Sequence, residues 1–89
     1  MSYKVTVRDI EKNAEIVDAV EIRNTHELYD LKCRWYRSRE FHRYLVVITD
    51  DENRIRHSFI SYSLGIEMAN AVIRRFERMT IDEFMGQLF

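Results

Sequence analysis

HRYLVVITDDENRIRHSFISY, residues 42–62, decides the fold. Two β-rich runs flank the polar tetrapeptide Asp50-Asp51-Glu52-Asn53, the pattern of a hairpin. Val46, Val47, Ile48 and Thr49 are β-branched, while Asp50, Asp51 and Asn53 supply turn chemistry. The first run is apolar on both faces, with Tyr44, Val46 and Ile48 on one and Leu45, Val47 and Thr49 on the other. That composition suits a central strand. The second run sets Ile55, His57 and Phe59 against Arg56, Ser58, Ile60 and Tyr62, with charge near the turn, and suits an edge or a partly exposed strand.

Upstream, Tyr3, Val5 and Val7 alternate with Lys4, Thr6 and Arg8, which predicts a half-buried strand over 3–9. Residues 14–23 read either way. A strand places Ile16, Val20 and Ile22 on one face but must accept Asp18 there, whereas a helix groups Ile16, Ala19 and Val20. β-branched density favours the strand, and with it a hairpin over 3–9 and 15–23.

Asn24 followed by Glu27 forms a capping-box pattern for a helix from about Thr25 to Arg37, with Leu28, Leu31 and Trp35 as its apolar stripe. Tyr29, Cys33 and Tyr36 would widen that stripe. The rival is a strand over 31–37, because Leu31, Cys33 and Trp35 also alternate with polar neighbours. Downstream, Ser61 or Ser63 can cap a helix over 64–79 whose buried face carries Gly65, Met68, Ala69, Val72, Ile73, Phe76 and Met79. Thr80 and Glu83 repeat the capping pattern and open a short last helix carrying Ile81, Phe84, Met85 and Leu88. The expected architecture is a single α+β domain over 1–89. An antiparallel sheet of about four strands packs against helices in the order β-β-α-β-β-α-α.

The chain has 89 residues, 46% hydrophobic and 33% charged, which fits one ordered, water-soluble domain. Its formal net charge is -1, without the basic excess of proteins that mainly grip phosphate backbones. Charge is uneven, however. Lys32, Arg34, Arg37, Arg39 and Arg43 crowd one segment against Glu40 alone. One cysteine, Cys33, excludes an internal disulfide and a cysteine-rich metal site, and reads as a buried small hydrophobe. No signal-type or membrane-spanning apolar run occurs, so a reducing cytoplasm is the expected setting.

Three functional expectations follow. The first is a non-catalytic binding or regulatory protein that associates with a protein partner or with itself, through Trp35, Tyr36, Arg37, Phe41, Phe84, Met85 and Leu88. Trp, Tyr and Arg are the residues enriched at interface hot spots. The second is a nucleic-acid surface built from Lys32, Arg34, Arg37, Arg39, Arg43, Arg54 and Arg56, with rings available to stack on bases. No RNP-type, GXXG or zinc-finger pattern supports it.

The third expectation is a small enzyme, ranked last because no acid–base or metal set has an interpretable spacing. His26, His42 and His57 are scattered, and His57 beside Ser58, Ser61 and Ser63 lacks an orienting acid. Asp50, Asp51 and Glu52 lack the spacing of a cation loop. No metal, no cofactor and no membrane contact are expected. A polar pocket holding His42 or His57 opposite a carboxylate would raise the enzyme reading.

Overall fold

The computed structural model describes residues 2–38 and 40–83, the side chains of 80–83 excepted. Four strands, β1 (Tyr3–Asp9), β2 (Glu15–Ile22), β3 (Tyr44–Asp50) and β4 (Ile55–Ser61), form one antiparallel sheet in the order β2-β1-β3-β4. Helices α1 (Thr25–Tyr29) and α2 (Leu31–Trp35) connect β2 to β3, and α3 (Ile66–Glu83) follows β4. The α+β class, the four-stranded sheet and the order of the elements are those expected from the sequence. No helix among the described residues is long and apolar enough to cross a membrane.

Alternation builds the core. Tyr3, Val5 and Val7 from β1 join Tyr44, Val46 and Ile48 from β3 on the helix side of the sheet, all buried. Against them pack Leu28, Leu31 and Trp35, together with Met68, Ala69, Val72, Ile73, Phe76 and Met79 of α3. The rings of Tyr3 and Phe76 meet edge to face at 5.2 Å, a geometry that ring quadrupoles favour.

The chain repeats itself. Tyr3-x-Val-x-Val-x-Asp9-x-Glu11 returns as Tyr44-x-Val-x-Ile-x-Asp50-x-Glu52. The two copies pair with each other, Tyr3 opposite Asp50, Val7 opposite Val46 and Asp9 opposite Tyr44. Each copy leads through an Asn at positive φ (Asn13 at 56°, Asn53 at 63°) into an outer strand and then helix. The molecule is therefore two ββα halves about an approximate two-fold axis between β1 and β3.

Each outer strand carries one bulge at the equivalent place, in the ladder beside Val7/Arg8 for β2 and beside Ile48/Thr49 for β4. A bulge inserts one residue and reverses which face the next residues take. This corrects the expected faces of both strands. Asp18, Val20 and Ile22 keep the helix side, but Ile16 pairs with Arg8 on the open face and is 50% exposed. Ile55 likewise pairs with Thr49 and is 67% exposed, away from His57 and Phe59.

Three further features differ from expectation. The single helix over 25–37 is interrupted at Asp30, where ψ opens to -17° and the Asp30 carbonyl accepts from both Cys33 N and Arg34 N. Cys33 is exposed, not buried: two helical steps of about 100° carry it well away from Leu31. The last helix does not stop at Met79 but continues unbroken to Glu83. Phe84, Met85 and Leu88 lie outside the described residues.

Gly65 precedes α3 directly, so neither Ser61 nor Ser63 occupies the position before it; Ser61 Oγ instead donates to the Ser63 carbonyl. A Cβ at Gly65 would stand 2.9 Å from the carbonyl oxygen of Ser38. Gly65→Ala is therefore expected to destabilise the domain by about 1–3 kcal/mol through overpacking against backbone, read as a lower midpoint in urea.

Candidate acid–base centre

β1 and β3 each end in an aspartate that faces the helix side. Burial of a carboxylate requires that its oxygens be satisfied, and both are. Asp50 Oδ1 accepts from the backbone N–H groups of Glu52 and Arg54, each at 2.9 Å. Its Oδ2 accepts from Arg54 Nε at 3.1 Å, with Arg56 Nη1 at 3.6 Å. Those contacts, the backbone N–H of Arg54 foremost, hold Asp50 below the usual carboxylate range.

Asp9 begins the same way and ends differently. Its residue is 1% exposed, and Oδ1 accepts from the Glu11 N–H at 3.0 Å. Oδ2, however, lies 2.8 Å from Nδ1 of His42, with no arginine on it among the described residues. The hydrogen bond with His42 outweighs burial and keeps Asp9 below its ordinary range; the same bond raises the imidazole above its ordinary 6.5. An ionised carboxylate can only accept, so Nδ1 carries the proton in this pair. Nε2 of His42 makes no hydrogen bond among the described residues.

The segment that delivers His42 is itself tied down. Ile10 N donates to the Arg43 carbonyl at 2.9 Å, and Arg43 N donates to Glu11 Oε2 at 3.1 Å. Tyr44 Oη donates to Glu40 Oε2 at 3.3 Å, and the rings of His42 and Tyr44 stack at 6.1 Å. Burial, then the charge of Glu40, pushes the Tyr44 hydroxyl up to about 12, so it remains a neutral donor.

Asp9, Glu11 and His42 offer donor atoms that all lie within 4.8 Å of one another. Two carboxylates and an imidazole are also a chemically suitable set for a divalent transition metal. The sequence does not put these residues together: Asp9 and Glu11 end the first strand, and His42 begins the second hairpin. The signal that could have found Asp9 is the repeated Tyr-x-Val-x-(Val/Ile)-x-Asp-x-Glu. It marks both strand-end aspartates, and only Asp50 is followed by arginines within the next six residues, Arg54 and Arg56.

The binding residues expected from sequence part company. Trp35 is a correction: it is 3% exposed, inside the core, with its Nε1 donating to Asp18 Oδ2 at 2.8 Å. Arg34 grips the same carboxylate through Nε and Nη2 at 2.8 and 2.7 Å. This explains how the helix-side face of β2 accepts an aspartate. Tyr36 and Phe41 do emerge, 70% and 76% exposed, and line one cleft with Ser38, Ser63, Leu64, Gly65, Ile66 and Glu67. Arg37 is exposed beside Tyr36.

The described members of the cationic set do not all gather on one surface. Arg34 is committed to Asp18, and Lys32 Nζ lies 5.8 Å from the Tyr29 ring centroid. Arg54 and Arg56 serve Asp50 at one end of the sheet, while Arg43 precedes Tyr44 at the other, about 20 Å away along a seven-residue strand. Arg39 lies outside the described residues. Comparisons with family models, with curated proteins and with solved structures found no match.

Proposed function

We propose that the protein is a small enzyme whose working group is the imidazole of His42. One observation carries the reading: a buried carboxylate, Asp9, placed 2.8 Å from Nδ1 of a half-exposed histidine whose other ring nitrogen has no hydrogen-bond partner among the described residues. Asp9 fixes the tautomer in which Nε2 bears the lone pair, and its charge stabilises the imidazolium once a proton is taken. Glu11 adds negative charge on the same side. Such a group suits hydrolysis or group transfer, in which Nε2 takes a proton from a nucleophilic hydroxyl or water and returns it to the leaving group.

The test is turnover of a panel of activated carboxyl and phosphoryl esters by the wild-type chain and by His42→Ala. At least one substrate is expected to lose about 100-fold or more in rate. Equal rates for the two proteins across the whole panel remove the reading.

A second reading, association with a partner protein, is supported by two large rings standing free at Tyr36 and Phe41. It no longer includes Trp35. The nucleic-acid reading has less behind it, since four of its cations are already engaged with internal groups.

A further inference from the structure

The two Asp-x-Glu turns of the repeat serve as controls for one another. After β3, one guanidinium reaches both carboxylates: Arg54 Nε lies 3.1 Å from Asp50 Oδ2, and its Nη2 lies 3.6 Å from Glu52 Oε2. That turn aims its two carboxylates at a single cation. After β1 the arrangement returns with Asp9 and Glu11, the latter in the 3-10 turn Ile10–Lys12. Here no lysine or arginine pairs with either carboxylate among the described residues. The group they meet is the imidazole of His42, whose neutral form offers a lone pair instead of a charge.

The backbone orients each carboxylate and spares one of its oxygens. Asp9 Oδ1 accepts from Glu11 N at 3.0 Å, which leaves Oδ2 toward His42. Glu11 Oε2 accepts from Arg43 N at 3.1 Å, and its Oε1 makes no hydrogen bond among the described residues. Ile10 N, bonded to the Arg43 carbonyl, ties the two segments together. Contacts of this outer kind hold ligands in place around a metal.

We infer that Asp9, Glu11 and His42 form a binding site for one divalent transition-metal ion of the zinc class. Its ligands are Asp9 Oδ2, a carboxylate oxygen of Glu11 and His42 Nδ1, with water completing the shell. Ligand atoms about 2.0–2.2 Å from a tetrahedral ion stand about 3.3 Å apart. The Asp9–His42 pair at 2.8 Å has only to open slightly, and Glu11, exposed and within 4.8 Å, has only to turn inward. An imidazole selects against calcium and magnesium, which take oxygen ligands and more of them than this site offers. The charge of Lys12, felt at Asp9 and His42, opposes the ion without removing a donor.

The site uses the same side chains as the proposed activity but does not depend on that activity. The ion takes the nitrogen that carries the proton in the acid–base reading. The neutral ring then bears its proton on Nε2, exchanged through solvent, so the metal-bound form cannot serve as the base.

The experiment is a titration of the full chain, stripped with a chelator and dialysed, with Zn²⁺ alone. Calorimetry and the imidazole NMR signals of the three histidines follow it. One equivalent is expected to bind, shifting His42 and leaving His26 and His57 in place. Glu11→Gln and His42→Ala are each expected to weaken binding by at least about tenfold, the lower bound for losing even an outer contact of a metal site. Glu11 is exposed, and a glutamine oxygen can still accept from Arg43 N, so Glu11→Gln keeps the fold. His26→Ala, at the His26–Asp30 pair, is expected to leave the affinity unchanged. Ca²⁺ and Mg²⁺ are expected to bind at least about tenfold more weakly than Zn²⁺.

Zinc that shifts His26 or His57 instead of His42, or that binds equally well to either ligand variant, sits at an adventitious surface position and overturns the proposal. Equal binding of Ca²⁺ overturns it too, as does the absence of any heat or shift with zinc. The ester panel, run with chelator present, tests His42 as a base by itself, so either reading can fail without the other.

Discussion

Trp35→Ala is expected to lower the unfolding free energy by about 3–5 kcal/mol, the range for truncating a large buried ring. Small domains have only about 5–15 kcal/mol in total, so the variant will be at the margin of folding. The effect has two parts. The ring fills the space between α2 and the sheet, where it is 3% exposed. Its Nε1 also satisfies Asp18, a carboxylate on the core-facing side of β2 that otherwise depends on Arg34 and the backbone N–H of Ala19.

Trp35→Phe separates the parts. It restores much of the volume but not the donor, and should cost about 1–2 kcal/mol relative to the wild type. Urea midpoints of both variants measure this. A loss under about 1 kcal/mol for Trp35→Ala would contradict the core placement and return the residue to the surface set.

Asp9→Asn is expected to reduce turnover by about 100-fold or more while leaving the fold intact. The amide oxygen can still accept the Glu11 N–H, so the turn after β1 survives. What is lost is the negative charge beside Nδ1. The sign of the accompanying pH change is fixed. The base form of His42 does the work, so kcat/KM rises with pH through the imidazole's pKa. In the wild type the Asp9 hydrogen bond places that limb above the ordinary 6.5. Without the charge the limb moves to lower pH.

A merely structural Asp9 would lower stability and leave the limb in place. Measuring kcat/KM from pH 5 to 9 for both proteins, on whichever ester the panel selects, distinguishes the two. Asp9 is a positioning residue in this account; His42 is the catalytic one.

Much of the fold is legible in the sequence because alternation and capping are local. Tyr3, Val5 and Val7 announce their face without any knowledge of a partner strand. Asn24 does cap α1, its Oδ1 accepting from Glu27 N at 2.9 Å, while Glu27 reaches back to the N–H of Arg23. The bulges leave no such mark. An extra residue in a ladder is a property of two strands, and nothing in Val17 or Arg56 signals it, so the faces of Ile16 and Ile55 come out reversed.

The neighbours Trp35 and Tyr36 show the same limit from the other side. Both ring types favour interfaces, and only the stripe from Leu28 through Leu31 places Trp35 inward. The candidate centre is the least legible feature. Asp9 looks like a strand end and His42 like a loop residue until the pairing of β1 with β3 brings Asp9 opposite Tyr44.

The paired bulges have a last effect, on what the protein avoids. A flat, regular outer strand recruits strands from other molecules and is a common route to insoluble assemblies. Here β2 and β4 are both outermost, and no described element covers either one. Each is locally twisted out of register by its unpaired residue, so neither offers a long straight template. The repeated irregularity gives a sheet with two open margins a built-in stop against end-to-end polymerisation.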